Sequence, residues 1–424
     1  MRARTAETIN KQKPPVTDRR RRGNCRMSQF GKVSLLLLGI LIWTSPATAQ
    51  SRSRVGSGLI HQKVLERQGL TRSWWAQAVM NSHRDKLRHL TNDLDNVYAQ
   101  CTNGIMTAFD AETGRKKWAQ RFGSGDGPSM PASSNDKHVF VWSAVTLYVM
   151  DKETGRILKE FDLPGQPSTS AVADEEQIYL GFLDGSMYAF DIESGAINWR
   201  YRTSKRIVVP ALPHSHTVLF ASTNGVLYSV DALTRETVFQ FESDSRITAP
   251  MAVYKDLVLL ASEDYKLYAL NINNGGQGWR VPFLSGEPIQ QAPVVIKDDV
   301  YLVPEHRGLF RIAAATGDEH WYQPGIRQLL SLSPQFAYGV DELNRLIVLD
   351  GETGEKVGGI SLGPASIHLT NKFTDRVYVA TPTGTIVCLR ETQRDLPLYH
   401  KNADQQPLMP QFAPEQAAKA EAAP

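Results

Sequence analysis

From about residue 90 to residue 390 the apolar positions fall in short runs that alternate with polar ones and are broken by turn residues. NVYAQCT, HVFVWSA, QIYLGFL, TVLFAST, LVLLASE, DVYLVPE, FAYGV and RVYVATP are rich in β-branched and aromatic residues. They are too short for helices, and the pattern predicts strands. After each comes a turn, often Asn-Gly or Asp-Gly (103–104, 184–185, 224–225), and then a second apolar run. Those dipeptides suit a tight hairpin with positive φ.

The second run is one phrase repeated eight times, as in NGIMTAFDAETGRKKW (103–118) and DGSMYAFDIESGAINW (184–199). Its acid position falls at Asp110, Asp151, Asp191, Asp231, Asn271, Ala313, Asp350 and Arg390, with gaps of 41, 40, 40, 40, 42, 37 and 40 residues. A glycine follows four residues after the acid and a tryptophan eight after: Gly114 and Trp118, Gly195 and Trp199, Gly275 and Trp279, Gly317 and Trp321, then Gly354 without a tryptophan. In D-x-x-(T/S)-G the acid accepts backbone N–H groups and the glycine takes a left-handed conformation, while the tryptophan packs from the next strand. Ala313, Arg235, Lys159 and Gly358 break the phrase. A catalytic group would not be offered eight times and dropped so freely, so these residues read as turn and packing chemistry.

A unit of about 40 residues holding four antiparallel strands is a propeller blade, and eight units predict an all-β, eight-bladed β-propeller over 69–395. The eighth unit has only SIHLTN, RVYVATP and TIVCLR, whereas GLTRSWWAQAVM (69–80) is a strand without a phrase. Pairing the two closes the ring, leaves no open edge and buries Trp74 or Trp75.

The phrase resembles the repeat of pyrroloquinoline-quinone (PQQ) type propellers, G-x-L-Y-A-L-D-x-x-T-G-x-x-x-W, over about residues 70–392. DYKLYALNINNGGQGW and DGSMYAFDIESGAINW match it closely. The resemblance implies that the Asp, Gly and Trp positions dock adjacent blades. It also implies one of two functions: a quinoprotein dehydrogenase, or a cofactor-free scaffold of the BamB-like branch. Quinoprotein dehydrogenases carry vicinal cysteines, Ca²⁺ ligands and long insertions. This chain has no adjacent cysteines and almost no insertions, and no acid-dense loop offers Ca²⁺ its six to eight oxygens. The expectation is a non-enzymatic, cofactor-free and metal-free scaffold with a protein partner in the cell envelope; a PQQ-dependent dehydrogenase is the alternative.

Charge places the protein. The formal net charge is +3, but residues 1–49 hold 10 Lys/Arg against 2 Asp/Glu, leaving 37 basic and 42 acidic side chains, a net of −5. An acidic body argues against nucleic-acid binding. From Met27, MSQFGK, the apolar VSLLLLGILIW and TSPATAQ read as a cleaved signal peptide (27–49), with Ala47 and Ala49 at the cleavage site. Residues 1–26 are then a leader extension or an over-extended start. No cysteine follows the apolar core, so there is no lipobox, and the expectation is a periplasmic or secreted monomer without a mature transmembrane segment. Residues 50–68 read as a linker and the Pro/Ala/Gln-rich 396–424 as a disordered tail. Cys101 and Cys388 lie in strand-like runs, as small buried side chains or a disulfide pair.

Other chemistry is sparse. His214 and His216 form an H-x-H at a blade's first hairpin, which reads as a solvated turn. GSGDG (123–127) joins strand to strand and lacks the helix a phosphate loop needs. The connections between blades, among them RTSKRIVVP, ESDSRITAP and QPGIRQLLSLSP, all fall on one face and surround the channel mouth. Lys205, Arg206, Arg246 and Arg327 make that rim basic, as a site for a partner's acidic segment or as scattered solvated charges.

Overall fold

The computed structural model describes residues 59–125 and 127–400. The expected leader extension, signal peptide and first part of the linker, and residues 401–424 of the expected tail, lie outside the described residues. The chain divides into two units at Arg54/Val55, and everything described belongs to the second.

Among the described residues, 32 strands form eight four-stranded antiparallel sheets, the blades of a β-propeller. Blade one runs outward through strands A to D: Leu87–Asn92, Asn96–Cys101, Ile105–Asp110 and Lys116–Arg121. Its B strand is buried throughout, whereas its D strand alternates. A central strand has a neighbouring blade on both faces and so reads as an unbroken apolar run; the outer strand keeps one side in water. Eight hydrophobic clusters each draw on two adjacent blades. The core therefore lies between blades, and no blade is stable without its neighbours.

The ring closes as strand counting predicts. Leu70–Gln77 pairs antiparallel with Thr385–Glu391 and completes the sheet that also holds Ile367–Leu369 and Val377–Ala380. Trp74 lies opposite Cys388 and is 7% exposed, whereas Trp75 is 42% exposed. Buried Arg376 of blade eight adds a clasp to Glu112 of blade one, with guanidinium–carboxylate distances of 2.6 and 3.1 Å.

Each acid-and-glycine turn works locally, and its glycine is met by a side chain of the preceding blade. Asp110 Oδ1 accepts from the Thr113 N–H at 2.8 Å and the Thr113 hydroxyl at 2.7 Å, and Gly114 (φ +69°) donates to Asp110 O. Asp191 and Asp350 repeat this with Ser194 and Thr353, whose bonds hold both carboxyls below the usual range. Trp74 lies so close over Gly114 that a Cβ there would sit 2.4 Å from the ring, and its indole N–H donates to Ala111 O at 3.0 Å. Trp118 does the same to Gly155 and Lys152 O, Trp279 to Gly317 and Ala314 O, and Trp321 to Gly354 and Gly351 O.

Where the phrase breaks, the seam is rebuilt differently. Phe161 covers Gly195 while the Lys159 ammonium donates to the Glu193 backbone and carboxylate; Phe239 covers Gly275. Between blades three and four, Arg235 holds the glycine position at φ +65°, and the buried Trp199 N–H finds no partner. A left-handed non-glycine costs about 1–2 kcal/mol, which the flexibility of glycine in the unfolded chain only partly offsets. Arg235→Gly should therefore raise the unfolding free energy by about 1 kcal/mol, and a lower denaturant midpoint would contradict this account of the seam.

Several boundaries differ from expectation. Residues 60–68 are not a loose linker: Ile60 and Leu65 fill the cluster between blades seven and eight, and Gln68 lies over Gly358, where the tryptophan is missing. Residues 396–400, expected as the start of a tail, are docked: Leu398 exchanges bonds with Asp375 and His400 donates to Phe373 O. QPGIRQLLSLSP is not a connection: Glu319–Pro324 and Ile326–Leu332 are strands joined by Gly325 alone. In the Asn-Gly and Asp-Gly turns only the glycine has positive φ, and its N–H bonds three residues back (Gly104 to Cys101, Gly185 to Phe182). That is a type I turn closed by a left-handed glycine, one residue longer than the two-residue hairpin.

Candidate functional site

The ring has two unlike faces. The B–C turns meet the blade-to-blade connections, as where Phe122 bonds Gly104 and Thr203 bonds Gly185; this is the upper face. The A–B and C–D turns meet each other on the lower face, as where Ala111 bonds Asp95 and Ile192 bonds Glu176.

Three consecutive upper connections share one brace. The Thr203 hydroxyl donates to Gly185 O or Lys205 O, at 2.8 and 2.5 Å. Ser243 stands likewise to Gly225 O and Ser245 O, and Ser285 to Tyr265 O and Glu287 O. Each brace ties a connection to the B–C turn beneath it. The carbonyls of Arg206 and Arg246 accept from Thr223 and Glu263, and the next residues, Ile207 and Ile247, are fully buried. The backbone is thus fixed while Lys205, Arg206 and Arg246 extend into solvent. None of the three has an ion-pair partner among the described residues, whereas nearby Asp184 and Asp244 are held by Arg200 and Lys266.

Arg327 stands apart from these three. It lies on the innermost strand of blade seven, with its guanidinium 3.4 Å from His368 Nδ1. His368 Nε2 lies 2.8 Å from Asn344 Oδ1, an acceptor, so the ring proton sits on Nε2 and Nδ1 accepts from Arg327. Burial, with the Arg327 charge, holds this imidazole below its ordinary pKa. Arg327 thus has a polar side-chain neighbour, whereas Lys205, Arg206 and Arg246 lie on the connections that follow blades three and four.

Exposed apolar side chains on the same turns escaped the sequence reading. Leu183 and Tyr265 are 50% and 48% exposed in B–C turns that carry Asn-Gly in other blades. An apolar residue in a turn slot was the available signal. With the cations they give this sector a mixed apolar and basic surface.

The remaining candidates stay chemically quiet. His214 and His216 flank an exposed turn, and no group of three or more His, Cys, Asp or Glu among the described residues is arranged to hold a metal ion. Cys101 and Cys388 are free and buried, and burial pushes the Cys101 thiol up to about 12. Gly125 of GSGDG packs against the Asn103–Gly104 turn. A crevice of about 230 Å³ between blades four and five, lined by Tyr268 and Pro282, opens where the outer ladder of blade five stops at Leu267 and Phe283. Among the described residues no helix is long and apolar enough to cross a membrane.

Two solved structures share the architecture. The crystal structure of BamB from Moraxella catarrhalis has a TM-score of 0.63 at 15% identity, over 77% of this chain and 98% of that one. The computationally designed Ika8 protein has a TM-score of 0.61 at 17% identity, over 74% and 99%. At such identities the likeness is one of fold. No curated protein matches the sequence. The family model of the outer membrane protein assembly factor BamB matches residues 102–223 and 223–362, more than half of the chain. With the repeated phrase and the eight-bladed ring it builds, this places the chain in the BamB family of PQQ-repeat β-propellers.

Proposed function

We propose that the protein is an exported, non-catalytic scaffold that binds a protein partner at the cell envelope through its upper face. The observation that carries this reading is the braced rim of blades three to five. Two of its three fixed connections present Lys205, Arg206 and Arg246 without an ion-pair partner among the described residues, beside exposed Leu183 and Tyr265. Fixed backbone lowers the ordering cost of binding, and unpaired cations beside apolar side chains suit an acidic segment with apolar anchors. Membership of the BamB family supports a scaffold role, and MSQFGK–TSPATAQ supports export.

A photo-crosslinking residue at Leu183 on the rim should give discrete envelope adducts, whereas the same residue at Leu233 on the lower face should not. Lys205, Arg206 and Arg246 changed together to Glu should abolish those adducts and leave the melting temperature within about 2 °C, as expected of exposed charges. Adducts that survive the triple change would move the site elsewhere. The dehydrogenase alternative makes a separate prediction, PQQ- and Ca²⁺-dependent reduction of a dye by an alcohol; we expect none.

A further inference from the structure

The lower face carries a feature that the scaffold reading does not use. Leu398 and Asp375 exchange two bonds, at 3.0 and 3.2 Å, Tyr399 bridges to Thr374, and His400 donates its N–H to Phe373 O at 2.9 Å. The loop beneath, Asn371–Arg376, is braced by blade seven through Ser331 to Thr374 O and by blade one through Asn92 to Asn371. Residues 396–400 thus lie as a strap on a rigid platform. At the strap's end His400 is only 9% exposed, and neither ring nitrogen has a hydrogen-bond partner. With Leu398 it closes a cavity of about 150 Å³ lined by Ile296, Tyr301, Leu332 and Pro334 among others.

We propose that this strap is a pH-released latch on the lower face and that His400 is its trigger. A neutral imidazole packs into the cavity with two unbonded polar atoms; a protonated one places a charge there beside Lys297. The groups around it decide the sign. Blade six presents Lys297, Asp299, Tyr301 and Arg311, and Asp299 is already held by Arg311 at 2.7 Å with His320 at 3.3 Å. Blade seven presents Glu352 at the cavity wall. On the blade-eight loop Lys372 lies over Phe373, and Asp375 is engaged by the strap backbone, Arg376 and Arg394. The charge that acts on His400 is therefore Lys297.

Burial first, with Lys297 adding to it, lowers the ring to about 4 from 6.5; the Thr374 backbone, too poorly placed to bond it, opposes this. A depressed histidine pKa stabilises the docked strap above the free value, and that stabilisation is lost as pH falls from 6.5 towards 4. Between pH 7.5 and 5.0 the docking equilibrium should weaken roughly thirty-fold. Release exposes the apolar wall formed by Ile296 and Leu332.

Hydrogen exchange at residues 396–400 of the full protein, corrected for the intrinsic rate at each pH, tests this. Wild type should be protected at pH 7.5 and lose protection roughly thirty-fold by pH 5.0, while the blades keep theirs. His400→Gln cannot titrate and should keep its protection across that range. Lys297→Gln should move the opening of the wild-type histidine to lower pH, which keeps the test valid should His400→Gln fail to dock. Opening that persists unchanged in either variant, or that vanishes in Asp375→Asn alone, would overturn the proposal.

Discussion

Deleting residues 59–80 should unfold or aggregate the protein, whereas truncation after Asn402 should leave its melting temperature unchanged. The deleted segment supplies the outer strand of blade eight, the Trp74 dock on Gly114, and the Leu65 and Leu70 filling between blades seven and eight. Burying three such side chains contributes roughly 6–9 kcal/mol at about 2–3 kcal/mol each, comparable with the whole stability of a typical domain. The loss also uncovers Thr385–Glu391 as a free edge, a template for pairing with another chain. Truncation after Asn402 keeps the strap and both ring seams. Scanning calorimetry with light scattering reads both outcomes. A shortened chain that stays monomeric and melts with the parent would mean that the ring does not depend on this closure.

What made the ring legible was chemistry that is local and repeated. Asp110, Thr113 and Gly114 form their turn within five residues, so the same letters at a near-constant period mark each blade without knowledge of its neighbours. Trp74 could be placed because a missing strand and a surplus strand can be counted. The illegible parts are long-range substitutions. Nothing in Ile60–Gln68 announces that it fills the gap left at Gly358, since the two are far apart in sequence and meet only when the ring closes. The strap docks largely through backbone atoms, which leave little pattern, so LPLYH read as the start of a tail. The braces of the rim were within reach: Thr203, Ser243 and Ser285 recur at spacings of 40 and 42 residues, the period of the ring itself. Arg327 was misplaced because a proline and a glycine suggested a long connection where Gly325 alone makes the corner.

The seams also rank the tryptophans, which the repeat alone would treat as equals. Trp118, Trp199 and Trp279 are 6%, 6% and 2% exposed, so truncating any of them to alanine removes a large buried ring, with a typical cost of about 3–5 kcal/mol. Trp118 and Trp279 also donate to Lys152 O and Ala314 O at 2.9 Å, and their loss leaves a carbonyl of the next blade without that partner. Trp199 donates to nothing, so its removal deletes an unsatisfied polar group along with the ring. A net hydrogen bond is worth about 1 kcal/mol, and an unsatisfied buried donor costs about 1–3. Trp279→Ala and Trp118→Ala should therefore fall at the upper end of that range, and Trp199→Ala should cost at least about 1 kcal/mol less than either. Each blade touches only its neighbours, so unfolding can begin at one seam. The three variants are best compared by exchange protection in the flanking blades as well as by denaturant midpoint. Equal losses at all three sites would show that ring burial alone sets the strength of a seam.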